Sequence, residues 1–91
     1  MAALAQPDVI ESAILDIVRK IPRPEGIRFE RLEFRENSNG DPADFVVYSL
    51  ADSPKSDQER AKEIGALTDK TLDPLWELKM PWMPYTLYLP I

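Results

Sequence analysis

The chain has no cysteine and no histidine, and only three glycines among its 91 residues. Without cysteine there is no disulfide framework, thiol nucleophile or thiolate metal site; without histidine the commonest general base and metal ligand is missing too. Most enzyme templates fail at that step, so no catalytic residue, metal ligand or cofactor is expected. Gly26, Gly40 and Gly65 stand apart from one another, which leaves no phosphate-cradling GxxxxGK[ST] or GxGxxG loop, no GxSxG elbow and no nucleotide-clamping GXXG. No run reaches the ~18 apolar residues of a membrane span. Met1-Ala2-Ala3-Leu4-Ala5-Gln6 lacks the basic start and apolar core of a secretory signal and is read as a native N-terminus. A concentration of positive charge is absent as well. The net charge is −5, distributed as −1 over residues 1–20, −2 over 21–50 and −2 over 51–91. Such a diffuse negative field disfavours nucleic acid and anionic lipid, mildly favours a basic protein surface, and chiefly confers solubility. A cytoplasmic location is expected.

What is present describes a small globular domain. Hydrophobic residues make up 44% against 30% charged, and a chain of this length buries roughly 60–65% of its unfolded surface, enough for one modest core. One domain spanning 1–91 is expected, with nine prolines fixing its connections. The clearest stretch runs from Ile27 to Leu50. Two segments dense in aromatic and β-branched residues flank Asn37-Ser38-Asn39-Gly40-Asp41-Pro42, whose residue types tolerate positive φ and side-chain turns, so a β-hairpin follows.

Ahead of it, Val9, Ile10, Ala13, Ile14, Ile17, Val18 and Ile21 recur at helical spacing and predict an amphipathic helix from about Asp8 to Lys20. Asp8 and Glu11 suit its first turn, Arg19 and Lys20 its last, and Pro22 stops it. In the first strand Leu32 and Phe34 share a face opposite Arg31, Glu33 and Arg35, while Ile27 and Phe29 fall on the other parity, so a bulge near Glu30 is expected. The second strand, Ala43 to Leu50, is apolar on both faces. Phe45 and Val47 are expected to meet the helices. Val46, Tyr48 and Leu50 would then point away, and with Thr86 and Tyr88 of the last strand they form a candidate interface for a second copy or another protein, since exposed apolar patches are uncommon on monomers.

Ser56 and Glu59 form a capping box for a second helix to about Leu72, with Ala61, Ile64, Leu67 and Thr71 or Leu72 as its inner stripe and Asp73-Pro74 as its end. Gly65 in the middle costs ~1 kcal/mol relative to alanine and implies close packing against a neighbour. The chain closes as a strand in which Tyr85, Leu87 and Leu89 alternate.

Several motif matches dissolve on inspection. Setting Gly40 at position six of a calcium loop puts Arg35 and Val46 where the first carboxylate and the bidentate glutamate belong. Pro81-Trp82-Met83-Pro84 matches PxxP by letter, but Trp and Met are expected to anchor the loop on the core. Sixteen acids are interspersed with eleven bases and form no pair suited to acid–base work. Glu36-Asn37-Ser38-Asn39-Gly40-Asp41-Pro42-Ala43, followed by Phe45-Val46-Val47, resembles an E-x-x-x-G-D-P-A stretch of small uncharacterised bacterial proteins, which also end near a Pro-Tyr strand. That resemblance implies no activity.

The expected fold is therefore α+β: a two-layer α-β-β-α-β sandwich, with a three-stranded sheet carrying two helices on one face. Strands two and three should be parallel, with the first strand between them. The expected function is non-enzymatic: a protein–protein interaction or regulatory module, either a homodimer or the acidic half of a two-protein pair of the antitoxin-like kind. The alternatives are a carboxylate-dependent enzyme, which would need two or more buried acids in one cleft, and a KH-like RNA-binding module, which the charge balance disfavours.

Overall fold

The computed structural model describes residues 7–79 and 82–90. The chain runs α1 (Pro7–Lys20), β1 (Ile27–Glu36), β2 (Pro42–Leu50), α2 (Asp57–Glu77) and β3 (Met83–Pro90). The expected N-terminal residues 1–6, and the Asp8 cap, lie outside what is described.

The sheet has the order β1-β2-β3, with β1 and β2 antiparallel and β2 and β3 parallel. The parallel pair is as expected; the order is not, because β2 rather than β1 is central. The reason is legible in composition. A strand apolar on both faces, PADFVVYSL, loses least by having neighbours on both sides, whereas β1 alternates Arg and Glu and can leave an edge wet. The ladder slips between Phe29 and Arg31, so Glu30 is the bulged residue, and the two halves of β1 present Ile27, Phe29, Leu32 and Phe34 to one face.

Both helices cover that face. Ile10, Ile14 and Val18 of α1, Leu67 and Leu75 of α2, and Ile27, Val46 and Tyr48 of the sheet make one buried cluster, with Phe29, Leu32, Phe34, Leu50, Ile64, Trp82 and Tyr88 packed around it. Val46 and Tyr48 therefore face the helices, the reverse of the expectation. Their register decides it. Val47 pairs with Arg31 and Phe45 with Glu33, so the charged row of β1 takes Val47 and Phe45 to the open side. The Tyr48 hydroxyl, meanwhile, meets Thr71 Oγ1 at 2.8 Å inside the core.

The turn is built by its first residue. Asn37 Oδ1 accepts from the amides of Asn39 at 2.9 Å and Asp41 at 3.0 Å, and Gly40 takes φ +83, a backbone state that suits glycine. That oxygen thus spends its acceptor capacity on backbone amides. The capping box of α2 forms as read: the Glu59 amide donates to Ser56 Oγ, and the Ser56 amide donates to Glu59 Oε1, both at 3.2 Å.

Helix α2 continues through Pro74 to Glu77, past the expected stop. Proline there forfeits one helical bond, but stopping at Asp73 would leave Leu75, which is completely buried, without its place in the core. Ile64, Leu67, Thr71 and Leu75 form the inner stripe; Ala61 is exposed. Arg60 ties the layers together, donating to the carbonyls of Glu25 (3.0 Å), Gly26 (3.3 Å) and Ala51 (2.9 Å). Gly26, at φ +83, leaves room for that guanidinium, which lies 3.0 Å from where a Cβ would stand.

Candidate interaction surface

The sheet's second face meets no helix among the described residues, and its two sides differ in chemistry. Along β1, Arg31, Glu33 and Arg35 pair with one another: Glu33 accepts from Arg31 at 2.6 Å and from Arg35 at 3.1 Å. These two hydrogen bonds, Arg31 first, hold the Glu33 carboxyl below its ordinary pKa. Glu30, the bulged residue, accepts from the Ser49 hydroxyl at 2.7 Å, and the Arg35 guanidinium lies 4.0 Å over the Phe45 ring. The long charged side chains of β1 thus cover the small central row of Ala43, Val47 and Ser49, which is buried, while their own ends stay in water.

Across the centre the surface turns apolar. Phe45 stacks on Tyr85 with ring centroids 5.3 Å apart and planes inclined by 22°, and the Tyr85 hydroxyl is met by Asn37 Nδ2 at 3.2 Å. Leu87 and Leu89 continue the row half-buried, and Met83 is 41% exposed. Strand β3 lies at the sheet's edge and contains no charged residue. Its free side is bordered by α2. Tyr88 reaches up to that helix, meeting Thr68 Oγ1 at 2.8 Å and donating to the Ile64 carbonyl at 3.3 Å. On a helical wheel the positions just beyond Thr68, on the side away from β2, are Ala61, Gly65, Leu72 and Trp76. Trp76 is 53% exposed. A Cβ built on Gly65 would find nothing within 4 Å, so the expected close neighbour of Gly65 is not within this chain's described residues.

Of the residues expected to form an interface, Val46 and Tyr48 are fully buried under the helices. Leu50 and Tyr88 pack against the same core. Thr86 is half-buried opposite Val46. The structure brings all five together, but on the helix side. The surface left uncovered is formed instead by Phe45, Tyr85, Leu87 and Leu89, whose signal in the sequence was the alternation of β3 itself. Trp82 packs edge-on against Phe34, centroids 5.4 Å apart, and joins the core as expected; Met83, expected to do the same, is instead exposed, and Pro81 lies outside the described residues.

One acid is buried among the described residues. Asp44 is wholly inaccessible on the helix side, between Phe34 and Pro84 in the ladder, and neither carboxylate oxygen has a hydrogen-bond partner. Burial, reinforced by the nearby Glu11 charge, pushes its pKa up to about 7, so at lower pH it sits in the core as the neutral acid. Two shallow clefts of about 340 and 280 Å³ contain one acid each, Glu63 and Glu36. Glu63 is occupied by Lys55 and Arg60, with the Lys55 bond chiefly lowering its pKa. No group of three or more His, Cys, Asp or Glu side chains capable of holding a metal occurs among the described residues, and none of the described helices is long and apolar enough to cross a membrane. Comparison with protein-family models, curated proteins and solved structures yields no match.

Proposed function

We propose that this protein is a non-enzymatic interaction module that binds a protein partner by accepting an extended segment at the free edge of β3, in the cytoplasm. The observation that supports it is the edge itself: a strand at the end of the sheet order that carries no charge, with the half-buried row of Tyr85, Leu87 and Leu89 along it. Backbone pairing supplies affinity in this mode, and the alternate side chains supply selectivity. The carboxylate-enzyme reading called for two or more buried acids in one cleft, and Asp44 stands alone in that respect among the described residues.

The test is differential capture from the native host with wild-type protein and Thr86→Pro, which deletes one edge donor. Proteins retained by the wild type and lost by a folded Thr86→Pro variant are the expected result. An identical set from both proteins would rule out strand addition.

A further inference from the structure

We infer that the β3 edge is completed by the β3 edge of a second copy of this chain, giving a continuous six-stranded antiparallel-joined sheet with the two α2 helices side by side. This rests on the strand-addition reading above and names its occupant.

The strand's own sequence is suited to a two-fold axis. From Pro84 to Pro90 it reads Pro-Tyr-Thr-Leu-Tyr-Leu-Pro, and an isologous pair must present the same patch from both sides. Antiparallel pairing centred on Leu87 sets Leu87 against its own copy, Tyr85 against Leu89, Thr86 against Tyr88, and Pro84 against Pro90. Both prolines then fall together at the ends of the paired segment, where neither leaves a facing carbonyl in mid-ladder without a donor.

The prolines also fix which groups point outward. An edge strand tolerates proline where its nitrogen is turned away from the sheet. Pro84 and Pro90 share a parity with Thr86 and Tyr88, so those two residues direct N–H and C=O to the free side. In the register above, Thr86 of each copy exchanges both bonds with Tyr88 of the other, making four backbone hydrogen bonds around the axis. Cross-strand neighbours share a face, so Tyr85, Leu87 and Leu89 of the two copies merge into one apolar strip on the open side.

Charge points the same way. Each copy carries −5, so two copies repel except where they meet without charge, and Met83–Pro90 has none. A basic partner would find nothing on this edge to attract it.

Gly65 is the independent observation. It stands in the middle of α2 where glycine weakens a helix, and no packing among the described residues requires it. Its position on the wheel, beyond Thr68 and away from β2, is the shoulder that a second α2 would approach across the axis. Ala61 and Gly65 keep that shoulder low, and the half-buried Leu72 and the exposed Trp76 supply apolar surface to cover it.

Sedimentation equilibrium of wild type, Gly65→Arg and Thr86→Pro, loaded from about 1 to 200 μM and paired with circular dichroism and thermal melts, tests this directly. The wild type should show the mass of a dimer in the upper part of the range. Gly65→Arg should dissociate at concentrations at least tenfold higher than wild type while its melting temperature, read at concentrations where both are monomeric, is unchanged or raised, because the new side chain meets only space and improves helix propensity. Thr86→Pro should weaken the dimer at least tenfold with its secondary structure retained. A monomeric wild type throughout overturns the proposal, as does a dimer equally strong in both variants. A monomeric wild type whose captured proteins still vanish with Thr86→Pro overturns the second copy while leaving strand addition in place.

Discussion

The two edges of this sheet face the same hazard and treat it oppositely. Strand β1 carries Arg28, Glu30, Arg31, Glu33, Arg35 and Glu36 along ten residues and is broken by a bulge at Glu30. Both devices discourage a foreign strand: charge must be desolvated to pair, and a bulge spoils the register. Strand β3 has neither device, and its prolines bracket rather than interrupt the segment between them. The contrast is one of charge and bulge: β1 has both, and β3 has only its terminal prolines against a foreign strand, which is the asymmetry the proposed assembly draws on.

Between the two edges β2 buries Val46 and Tyr48 completely, and the largest predicted effect tests that burial. Tyr48→Glu places a charge where the wild-type side chain is completely buried against Thr71. It should cost more than about 4 kcal/mol and unfold the domain. Loss of the far-ultraviolet dichroism signal at 25 °C is the expected readout; a folded variant would mean that Tyr48 faces solvent.

A second effect, roughly as large but graded by pH, comes from Asp44. Its carboxyl is flanked by Phe34 on the β1 side and Pro84 on the β3 side, and neither strand offers it a hydrogen bond. The unfolded chain ionises this group near its ordinary 3.8, the folded chain only near about 7. Between those values the unfolded state has released the proton that the folded state still holds, so stability falls as pH rises from about 4 to 7 and levels off above. The full span is about 4 kcal/mol at ~1.4 kcal/mol per pKa unit. Urea midpoints should therefore decline across that window in the wild type and stay nearly flat in Asp44→Asn. Equal slopes in the two proteins would show that water or another group reaches the carboxylate.

The smallest change in stability should bring the sharpest change in behaviour. Replacing Arg31 and Arg35 with leucine removes two half-exposed side chains from pairs of the kind worth ~0–1 kcal/mol, so the melting temperature should move by only a few degrees. It also strips the guard from β1. Light scattering should then show a mass above that of the wild type at the same concentration, through the β1 edge. Unchanged mass would mean that the Glu30 bulge alone is a sufficient guard.

Local signals were legible wherever the physics was local. The α1 stripe apart from Val9, which is exposed, the capping box at Ser56 and Glu59, the Asn37–Gly40 turn and the bulge at Glu30 each depend on residues within a few positions of one another. All were readable without a fold. Sequence alone also determined the absences: lacking cysteine and histidine, the chain has no thiol or imidazole chemistry in any fold it adopts. Tertiary structure decided what is relational. Which face of β2 meets the helices depended on its register against the charged row of β1, because a one-residue shift exchanges every side chain between faces. For the same reason the expected interface at Val46 and Tyr48 became core, and Tyr85, Leu87 and Leu89 became surface. The run of α2 through Pro74 depended on the burial of Leu75, which outweighed a local breaker. Nor could the open space beside Gly65 among the described residues be read from its neighbours in the chain, since it depends on where the other elements lie.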